Sequence, residues 1–306
     1  VRLALDSIPF ASLGDEERAL YAILRTQADY KCDVPLTTDT LIRHAVNYYY
    51  TSRPDYRGAM AYYSLGCIYT ELGDDARAIR AYLQAHNLFP DTTVRYYRLC
   101  YQNLGRHYMK KGMYDEALEA FTLLRNAPVD NDTTYVNLNL ARIYIRRGNS
   151  SYAENILTNI LESTFDPLSI ANAHFELGKI EYAYKKDYAK AKDHFLTVMK
   201  LLDDVSKGNA YWFLGDMAFI QDDEEAASNY FQMALASSTD LYTSYNSARS
   251  LMYLAIDSID NPIAHRYVKL FEALYDSISH HERQSEIIDI VNEHELQLAQ
   301  KEIIEK

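Results

Sequence analysis

Five dipeptides of Leu followed by Gly or Ala recur at a nearly constant spacing and constrain the fold more than any other feature. Their leucines lie 39, 36, 37 and 37 residues apart, at Leu65, Leu104, Leu140, Leu177 and Leu214. A repeated unit of this length is a single supersecondary element that buries its apolar face only by stacking on its neighbours. The spacing therefore predicts a solenoid of similar units.

Each unit has the apolar periodicity of two amphipathic helices. Leu65, Tyr69 and Leu72, for example, share one helical face, as the helical i, i+4 and i+7 spacing requires. Seven of the ten glycines fall either directly after the repeat leucine or at the turn between the two helices: Gly66, Gly73, Gly105, Gly112, Gly148, Gly178 and Gly215. Because glycine has no side chain, a neighbouring helix can approach it closely. We therefore predict an all-α fold of antiparallel helix pairs.

The residues around these leucines resemble the tetratricopeptide repeat. The best copy carries the family pattern at Tyr62, Leu65, Gly66, Tyr69, Ala78, Tyr82, Ala85 and Pro90. Four further copies follow, of which the third has Asn137 where an aromatic residue is usual and the fourth has one extra residue between its helices. The resemblance implies a right-handed superhelical solenoid whose concave surface is lined by the first helix of each pair.

We divide the chain at the edges of this pattern. Residues 1–56 are predicted to form atypical N-terminal helices, residues 57–240 the five repeat pairs, and residues 241–276 a degenerate sixth pair whose second helix begins at Pro262. Residues 277–306 are predicted to form a polar C-terminal helix, which either caps the last repeat or acts as a coiled-coil or linker helix through which chains form oligomers. Atypical end units are expected because each must face water on one side.

The charge balance and the apolar pattern exclude two classes of partner. With 31 Lys and Arg against 43 Asp and Glu, the formal net charge is −12, which disfavours binding to nucleic acid or to an anionic membrane surface. No apolar run of 18 residues occurs, so no membrane insertion is predicted within this chain. We expect the three cysteines, Cys32, Cys67 and Cys100, to be buried thiols that pack as small apolar residues.

The residue patterns of catalytic and metal sites are missing from the sequence. No two glycines lie two positions apart, so the chain lacks the glycine-rich motif that binds dinucleotides. The pair His280-His281 is better explained as solvated than as a metal site, and the run Asp130-Asn131-Asp132 as a turn before a helix, because neither has the further ligands that a metal needs. We therefore predict no catalytic residues, no metal and no cofactor.

The resemblance also implies which side chains line the groove, namely those at the second, fifth, ninth and twelfth repeat positions, counted with the Leu-Gly pair at seven and eight. Three successive ninth positions are cationic: Arg106, Arg142 and Lys179. The other predicted groove residues are mostly aromatic: Tyr63, Gln102, Phe175, Tyr182, Trp212 and Phe219. Cations beside aromatic rings favour an acidic or carboxylate-terminated peptide. The alternative is that the cations are solvated along the helix surface and the rings pack on other helices.

Two functions fit these features. The first is a protein- or peptide-binding scaffold that uses the concave face and is not an enzyme. The second rests on the run from Asp29 into Tyr69, which resembles bacterial exported tetratricopeptide proteins that continue into a transmembrane helix and a cytoplasmic output module. That resemblance implies a periplasmic, ligand-sensing domain of a membrane-bound regulator, truncated before its transmembrane segment. The residues alone do not distinguish this location from the cytoplasm.

Overall fold

The computed structural model describes residues 2–51, 56–89, 95–126, 133–203, 207–238, 240–255 and 262–279. Within these ranges the chain is helical apart from the turns and short connections, and no β-strand occurs. The chain divides into two compact units, Val1–Asn131 with Gln284–Lys306, and Asp132–Arg283. Most of the predicted polar C-terminal helix, from residue 280 onwards, and the predicted turn at 130–132 lie outside the described residues.

The first unit contains seven described α-helices. They are α1 (Arg2–Asp6), α2 (Asp15–Lys31), α3 (Thr40–Thr51), α4 (Tyr56–Glu71), α5 (Asp75–Leu88), α6 (Arg95–Lys110) and α7 (Tyr114–Asn126), with a short 3-10 helix at Phe10–Ser12. Consecutive helices pack in pairs, α2 with α3, α4 with α5 and α6 with α7. The first of these pairs lies within the predicted N-terminal segment, and the other two are the first two repeat copies.

The second unit continues the same arrangement. Its helices are α8 (Thr133–Arg146), α9 (Ser150–Ser163), α10 (Pro167–Ile180), α11 (Tyr188–Leu201), α12 (Gly208–Ile220), α13 (Glu224–Ser237) and α14 (Leu241–Ala255), followed by α15 over residues 262–279. The pairs are α8 with α9, α10 with α11 and α12 with α13, and α14 packs on both members of the last pair. The predicted all-α class of paired helices is confirmed within both units.

The small residue after each repeat leucine lies against a side chain from the second helix of its own pair. A Cβ atom added to Gly105 would come within 2.6 Å of Phe121 Cε2, which is too close for any real contact. The same close approach joins Gly66 to Tyr82, Gly178 to Phe195 and Gly215 to Phe231. The third copy has Ala141 instead, and Leu157, in the same buried cluster, stands at the ring position. A larger residue after the repeat leucine is therefore accompanied by a smaller side chain on the second helix, so the combined volume at this contact stays similar.

The turn between the helices of a pair places one residue in the left-handed region. Gly73, Gly112 and Gly148 have φ values of 73°, 74° and 77° there, whereas the fourth and fifth copies have Lys186 at 58° and Asp222 at 59°. In four of the five copies the next residue caps the second helix, because its side chain accepts a backbone N–H from the first turn: Asp74, Asn149, Asp187 and Asp223. This pairing of a left-handed residue with an N-cap explains the Gly-Asp and Gly-Asn dipeptides of the sequence.

The extra residue of the fourth copy lies at the end of a helix and not in the turn. Residues Glu181–Lys185 form a π-helical stretch that continues α10, and the backbone N–H of Asp187 donates to the Glu181 carbonyl at 3.0 Å. A π-helical turn absorbs one added residue without breaking the helix. Lys186 can therefore take the same left-handed position as the turn glycines of the other copies.

The expectation of three buried cysteines is wrong for one of them. Cys67 and Cys100 are buried, but Cys32 is exposed, because it is the C-cap of α2 and lies beyond the last buried turn of that helix. Burial raises the pKa of Cys67 to about 11 and that of Cys100 further. These two thiols are therefore protonated core residues, whereas Cys32 is accessible to solvent.

Candidate functional site

Two of the three predicted basic residues converge on one buried carboxylate. Arg142 Nε donates to Glu176 Oε1 at 2.8 Å, and Lys179 Nζ donates to Glu176 Oε2 at 2.7 Å. Glu176 is only 3% exposed. Burial alone would raise the pKa of this carboxyl group, but the charges and hydrogen bonds of Lys179 and Arg142 hold the pKa below its ordinary value. The cluster of two cations and one anion keeps a single net positive charge.

The third basic residue of the predicted row, Arg106, belongs to the first unit. It is exposed there, and its charge partly offsets the rise that burial causes in the pKa of Tyr30. The two other groove residues predicted in that unit differ in accessibility. Tyr63 is buried in the core against the rings of Tyr82 and Tyr96, whereas Gln102 is half-buried.

Arg142 lines a cleft of about 190 Å³ in the second unit, here named the Arg142 cleft. Its polar lining consists of the Arg142 guanidinium and the amides of Asn172 and Asn209. Arg142 Nη2 donates to Asn172 Oδ1 at 3.0 Å, which fixes the guanidinium at one wall. The apolar lining includes Phe175, and the Lys179 ammonium lies 5.6 Å from the centroid of the Phe175 ring. Two predicted groove residues, Arg142 and Phe175, are thus brought together with two asparagines in one cleft.

A larger cleft of about 470 Å³ lies further along the second unit, here named the Trp212 cleft. It is lined by Trp212, Asp216, Phe219, Phe231, Arg249, Ser250 and Tyr253. Phe219 and Tyr253 are 46% and 60% exposed, whereas Phe231 is fully buried and forms the base. Predicted groove residues Trp212 and Phe219 therefore share one concave surface with residues of α14.

The polar groups of the Trp212 cleft are incompletely paired. The indole Nε1 of Trp212 is buried and has no hydrogen-bond acceptor among the described residues. Arg249 lies with its guanidinium carbon 5.8 Å from the Tyr245 ring centroid, and none of the described carboxylates forms an ion pair with it. A half-buried cation that shares one concave surface with exposed rings is a feature that a bound partner can satisfy.

Tyr182, another predicted groove residue, is committed to contacts inside the unit. Its hydroxyl donates to Asp216 Oδ2, and its ring packs edge-on against Tyr188 and Phe213. Burial and the Asp216 carboxylate together raise the pKa of the Tyr182 phenol. The bond positions the Asp216 carboxylate at the wall of the Trp212 cleft.

Sequence reasoning missed four residues of these clefts and the carboxylate that pairs with Arg142, namely Asn172, Asn209, Arg249 and Tyr253, and Glu176. Asn172 and Asn209 stand at second positions of their repeats, which the repeat pattern also directs into the groove. Glu176 lies three residues before Lys179, which is the spacing of an ion pair on one helix face. Arg249 and Tyr253 lie in the degenerate sixth pair, where no Leu-Gly dipeptide fixes the repeat numbering.

Metal binding and membrane crossing find no support in the described part of the chain. No group of three or more His, Cys, Asp and Glu side chains there is arranged to hold a metal ion. The described helices also include none whose length and apolar composition would suit a membrane crossing.

Paired helices, glycine-to-ring contacts and capped turns define the class of helical repeat arrays. Residues 59–92 and residues 99–128 each match a model of the tetratricopeptide repeat. These stretches are the first two of the five predicted copies, so the resemblance to this repeat is confirmed for them.

Several solved structures share the fold of the chain. The apo form of the quorum sensor NprR from B. thuringiensis superimposes with a TM-score of 0.65 at 14% identity, over 94% of this chain and 89% of that one. NprR in complex with its cognate peptide NprX gives a TM-score of 0.57 at 14% identity, over 90% and 85%. A tetratricopeptide repeat protein from Parabacteroides merdae gives 0.57 at 14% identity, over 84% and 99%. No curated protein matches the chain in sequence.

Proposed function

We propose that this chain is a non-catalytic scaffold that binds a peptide or an extended protein segment on its second unit. The binding surface consists of the Arg142 cleft and the Trp212 cleft, which are lined mainly by the first helices of the repeat pairs. The single observation that carries the proposal is the Trp212 cleft, where the exposed rings of Phe219 and Tyr253 line one concave surface together with Arg249.

The physical argument rests on the size and composition of this cleft. Its volume of about 470 Å³ lies within the range of pockets that bind small ligands and side chains, roughly 300 to 1,000 Å³. Aromatic anchors supply much of the energy of peptide and protein interfaces because they bury a large area with few rotatable bonds. Phe219 and Tyr253 expose such area in the free chain, and a bound segment would cover it.

The fold comparison adds support of a more general kind. One solved structure with this fold, NprR, holds its cognate peptide NprX. A repeat array of this kind is therefore compatible with peptide binding, and we extend that property to this chain as part of the proposal. Nothing in the extension depends on shared residues, since the identity is only 14%.

The test uses the single tryptophan of the chain as a reporter. The sequence contains one Trp, so intrinsic indole fluorescence reports on the Trp212 cleft alone. Peptides selected from a random display library on the whole chain should change this emission on titration. Phe219→Ala and Tyr253→Ala should each weaken binding by about tenfold or more, as the loss of an aromatic anchor does.

The matched control is Phe165→Ala. Phe165 is 96% exposed between α9 and α10 and lines neither cleft, so its removal should leave affinity unchanged. The proposal fails if no peptide is selected, or if the selected peptides bind the Phe219 and Tyr253 variants as tightly as they bind the parent chain.

The narrower function, a periplasmic sensing domain of a membrane-bound regulator, is also a proposal. It is supported by the resemblance of the Asp29-to-Tyr69 run to exported bacterial repeat proteins. A membrane-impermeant maleimide should label the exposed Cys32 in intact cells whose outer membrane has been permeabilised. Labelling only after lysis would contradict this location while leaving the scaffold function untouched.

A further inference from the structure

We infer that His174 and His194 form a pH switch, which holds two walls of the Arg142 cleft together when both rings are neutral and releases them when both are protonated. The inference rests on the proposed function for its consequence, which is control of peptide binding by pH. Neither histidine lines the Arg142 cleft or the Trp212 cleft, so the switch acts on the binding surface from outside it.

The first step is the position of the pair between two helices that line the cleft. His174 lies in α10 and His194 in α11, and their Nδ1 atoms are 2.8 Å apart. Phe175 of α10 and Val198 of α11 both line the Arg142 cleft. His174 directly precedes Phe175, and Val198 follows His194 by about one helical turn. A change in the distance between the two rings therefore acts on both of these walls.

The second step is the protonation state that the contact requires. A bond between two Nδ1 atoms needs one ring to donate its N–H and the other to accept with an unprotonated nitrogen. A first added proton can enter at the Nε2 atom of the donating ring and leave this bond intact. A second proton must occupy the accepting Nδ1 atom, so that two N–H groups face each other and the bond breaks. Burial lowers the pKa of both rings, so the bonded, neutral arrangement is the one present at pH 7.

The third step is the group that receives the released ring. Glu181 is only 5% exposed, and its Oε2 atom is buried without a hydrogen-bond donor among the described residues. An unpaired buried oxygen is unfavourable, and the Glu181 charge already acts on His194. His174 and Glu181 lie seven residues apart on one face of the same helix. A protonated His194 can therefore exchange its bond to His174 for one to Glu181.

The charges around the pair favour this exchange. Burial lowers the pKa of His194, and three carboxylates from three elements oppose it: Glu181 of the π-helical stretch, Asp193 of α11 and Glu154 of α9. Lys185 lowers the same pKa, but its ammonium donates to Glu154 at 2.6 Å. The helices α8 and α12, which pack on α10 and α11, contribute none of the main charges on either ring. The surroundings of His194 are therefore net negative and can stabilise an imidazolium.

Amide hydrogen exchange of the whole chain at pH 7.5 and pH 5, corrected for the intrinsic pH dependence of exchange, measures the release. Fragments that cover Glu181–Lys185 and the first turns of α11 should exchange at least about tenfold faster at pH 5, because this pH lies about 1.5 units below the unfolded pKa of histidine. Fragments from α13 should keep their rate. Equal acceleration throughout the second unit, or none, would overturn the inference.

Variants assign the effect to the two rings. His194→Gln should abolish the acceleration, since glutamine can still bond to His174 but takes up no proton in this range. His174→Gln repeats the test if the first variant fails to fold. Glu181→Gln should move the release to lower pH, because the charge that favours the imidazolium is gone. His265→Gln, at an exposed position of α15, is the matched control. Acceleration that persists in His194→Gln would refute the switch.

The consequence for binding is measured with a selected library peptide that has blocked ends and contains no His, Asp or Glu, so that its own charge is the same at both pH values. The parent chain should bind this peptide at least about fivefold more weakly at pH 5 than at pH 7.5. The His194→Gln chain should bind it equally at both. Calorimetry measures the two affinities.

The outcomes separate this inference from the function on which it rests. Selected peptides that the parent chain binds equally at both pH values would sustain the scaffold function and refute its control by pH. Local acceleration of exchange at pH 5 that disappears in His194→Gln, together with a failure to select any peptide, would sustain the switch between the helices and refute the proposed function.

Discussion

Arg142 Nε donates to Glu176 Oε1 at 2.8 Å and so joins the first helix of one repeat pair to the first helix of the next. The two residues lie 34 positions apart, which is close to one repeat. Lys179 occupies the second oxygen of the same carboxylate. A buried anion between stacked repeats therefore serves as the counterion for both basic side chains and fixes the register of α8 against α10.

Glu176→Gln is expected to destabilise the chain by about 2 kcal/mol, because removal of one partner leaves the other charges uncompensated at a buried site. The effect stays below that of a fully buried pair, since the Arg142 and Lys179 side chains are 33% and 26% exposed and can turn to water. Urea denaturation measures the free energy of unfolding. Glu162→Gln, at an exposed position of α9, is the control. Equal stability of the two variants would show that Glu176 is not a structural counterion.

Acid should destabilise the chain through a second pair, His174 and His194, whose Nδ1 atoms lie 2.8 Å apart. Burial lowers the pKa of both rings, and the neighbouring ring lowers that of His174 further, although Glu181, Asp193 and Glu154 oppose the shift at His194. Because the folded-state pKa values lie below the unfolded value of about 6.5, the unfolded chain binds protons first. The stabilisation is therefore complete above this pH and is lost as the pH falls below it.

The measurement for the histidine pair is the urea midpoint between pH 7.5 and pH 5. The parent chain should lose stability on the order of 1 kcal/mol over this window, given that both rings are only half-buried. His174→Phe should flatten the pH dependence, whereas His265→Phe, at an exposed position of α15, should leave it intact. If the urea midpoint of His174→Phe depended on pH as steeply as that of the parent chain, the acid sensitivity would come from other groups.

The repeat period and the ring positions could be predicted because each depends on residues within one unit of about 37. The pairing of Arg142 with Glu176 could not, since it depends on how one unit stacks on the next. Arg142 and Lys179 stand at the same repeat position and Glu176 stands at another, so the pattern of that one position shows the two cations without the acid between them. Arg249 was missed because the sixth pair lacks the Leu-Gly dipeptide that sets the numbering. Packing between units, and not the pattern within them, decides which cations are available to a ligand.

Lys186→Gly is expected to stabilise the chain by about 0.5 to 1 kcal/mol. Lys186 has a φ of 58° at a turn where other copies have glycine, and a left-handed conformation is unfavourable for a residue with a Cβ atom. The gain should exceed that of Asp222→Gly, since Asp tolerates this region better than Lys. Thermal and urea unfolding measure the change. The control is Lys192→Gly, at an exposed position inside α11, which should instead destabilise the chain by about 1 kcal/mol. If Lys186→Gly also lowered the stability, the backbone at Lys186 would not be strained.

Gly105→Ala is expected to destabilise the chain by about 2 kcal/mol, because the added methyl group would lie 2.6 Å from Phe121 Cε2 and overpacking of a core costs about 1 to 3 kcal/mol. Phe121 is fully buried and cannot turn away. Phe121→Leu alone should also destabilise, through the cavity that it leaves. In the double variant the loss of unfolding free energy should be at least about 1 kcal/mol smaller than the sum of the two single losses, because Ala141 and Leu157 form this combination in the third repeat.

The control combines Phe121→Leu with Gly178→Ala, whose own neighbour is Phe195. The two losses of this pair should be additive. Additivity in the Gly105 pair as well would show that the glycine-to-ring contact does not set the packing of the repeat.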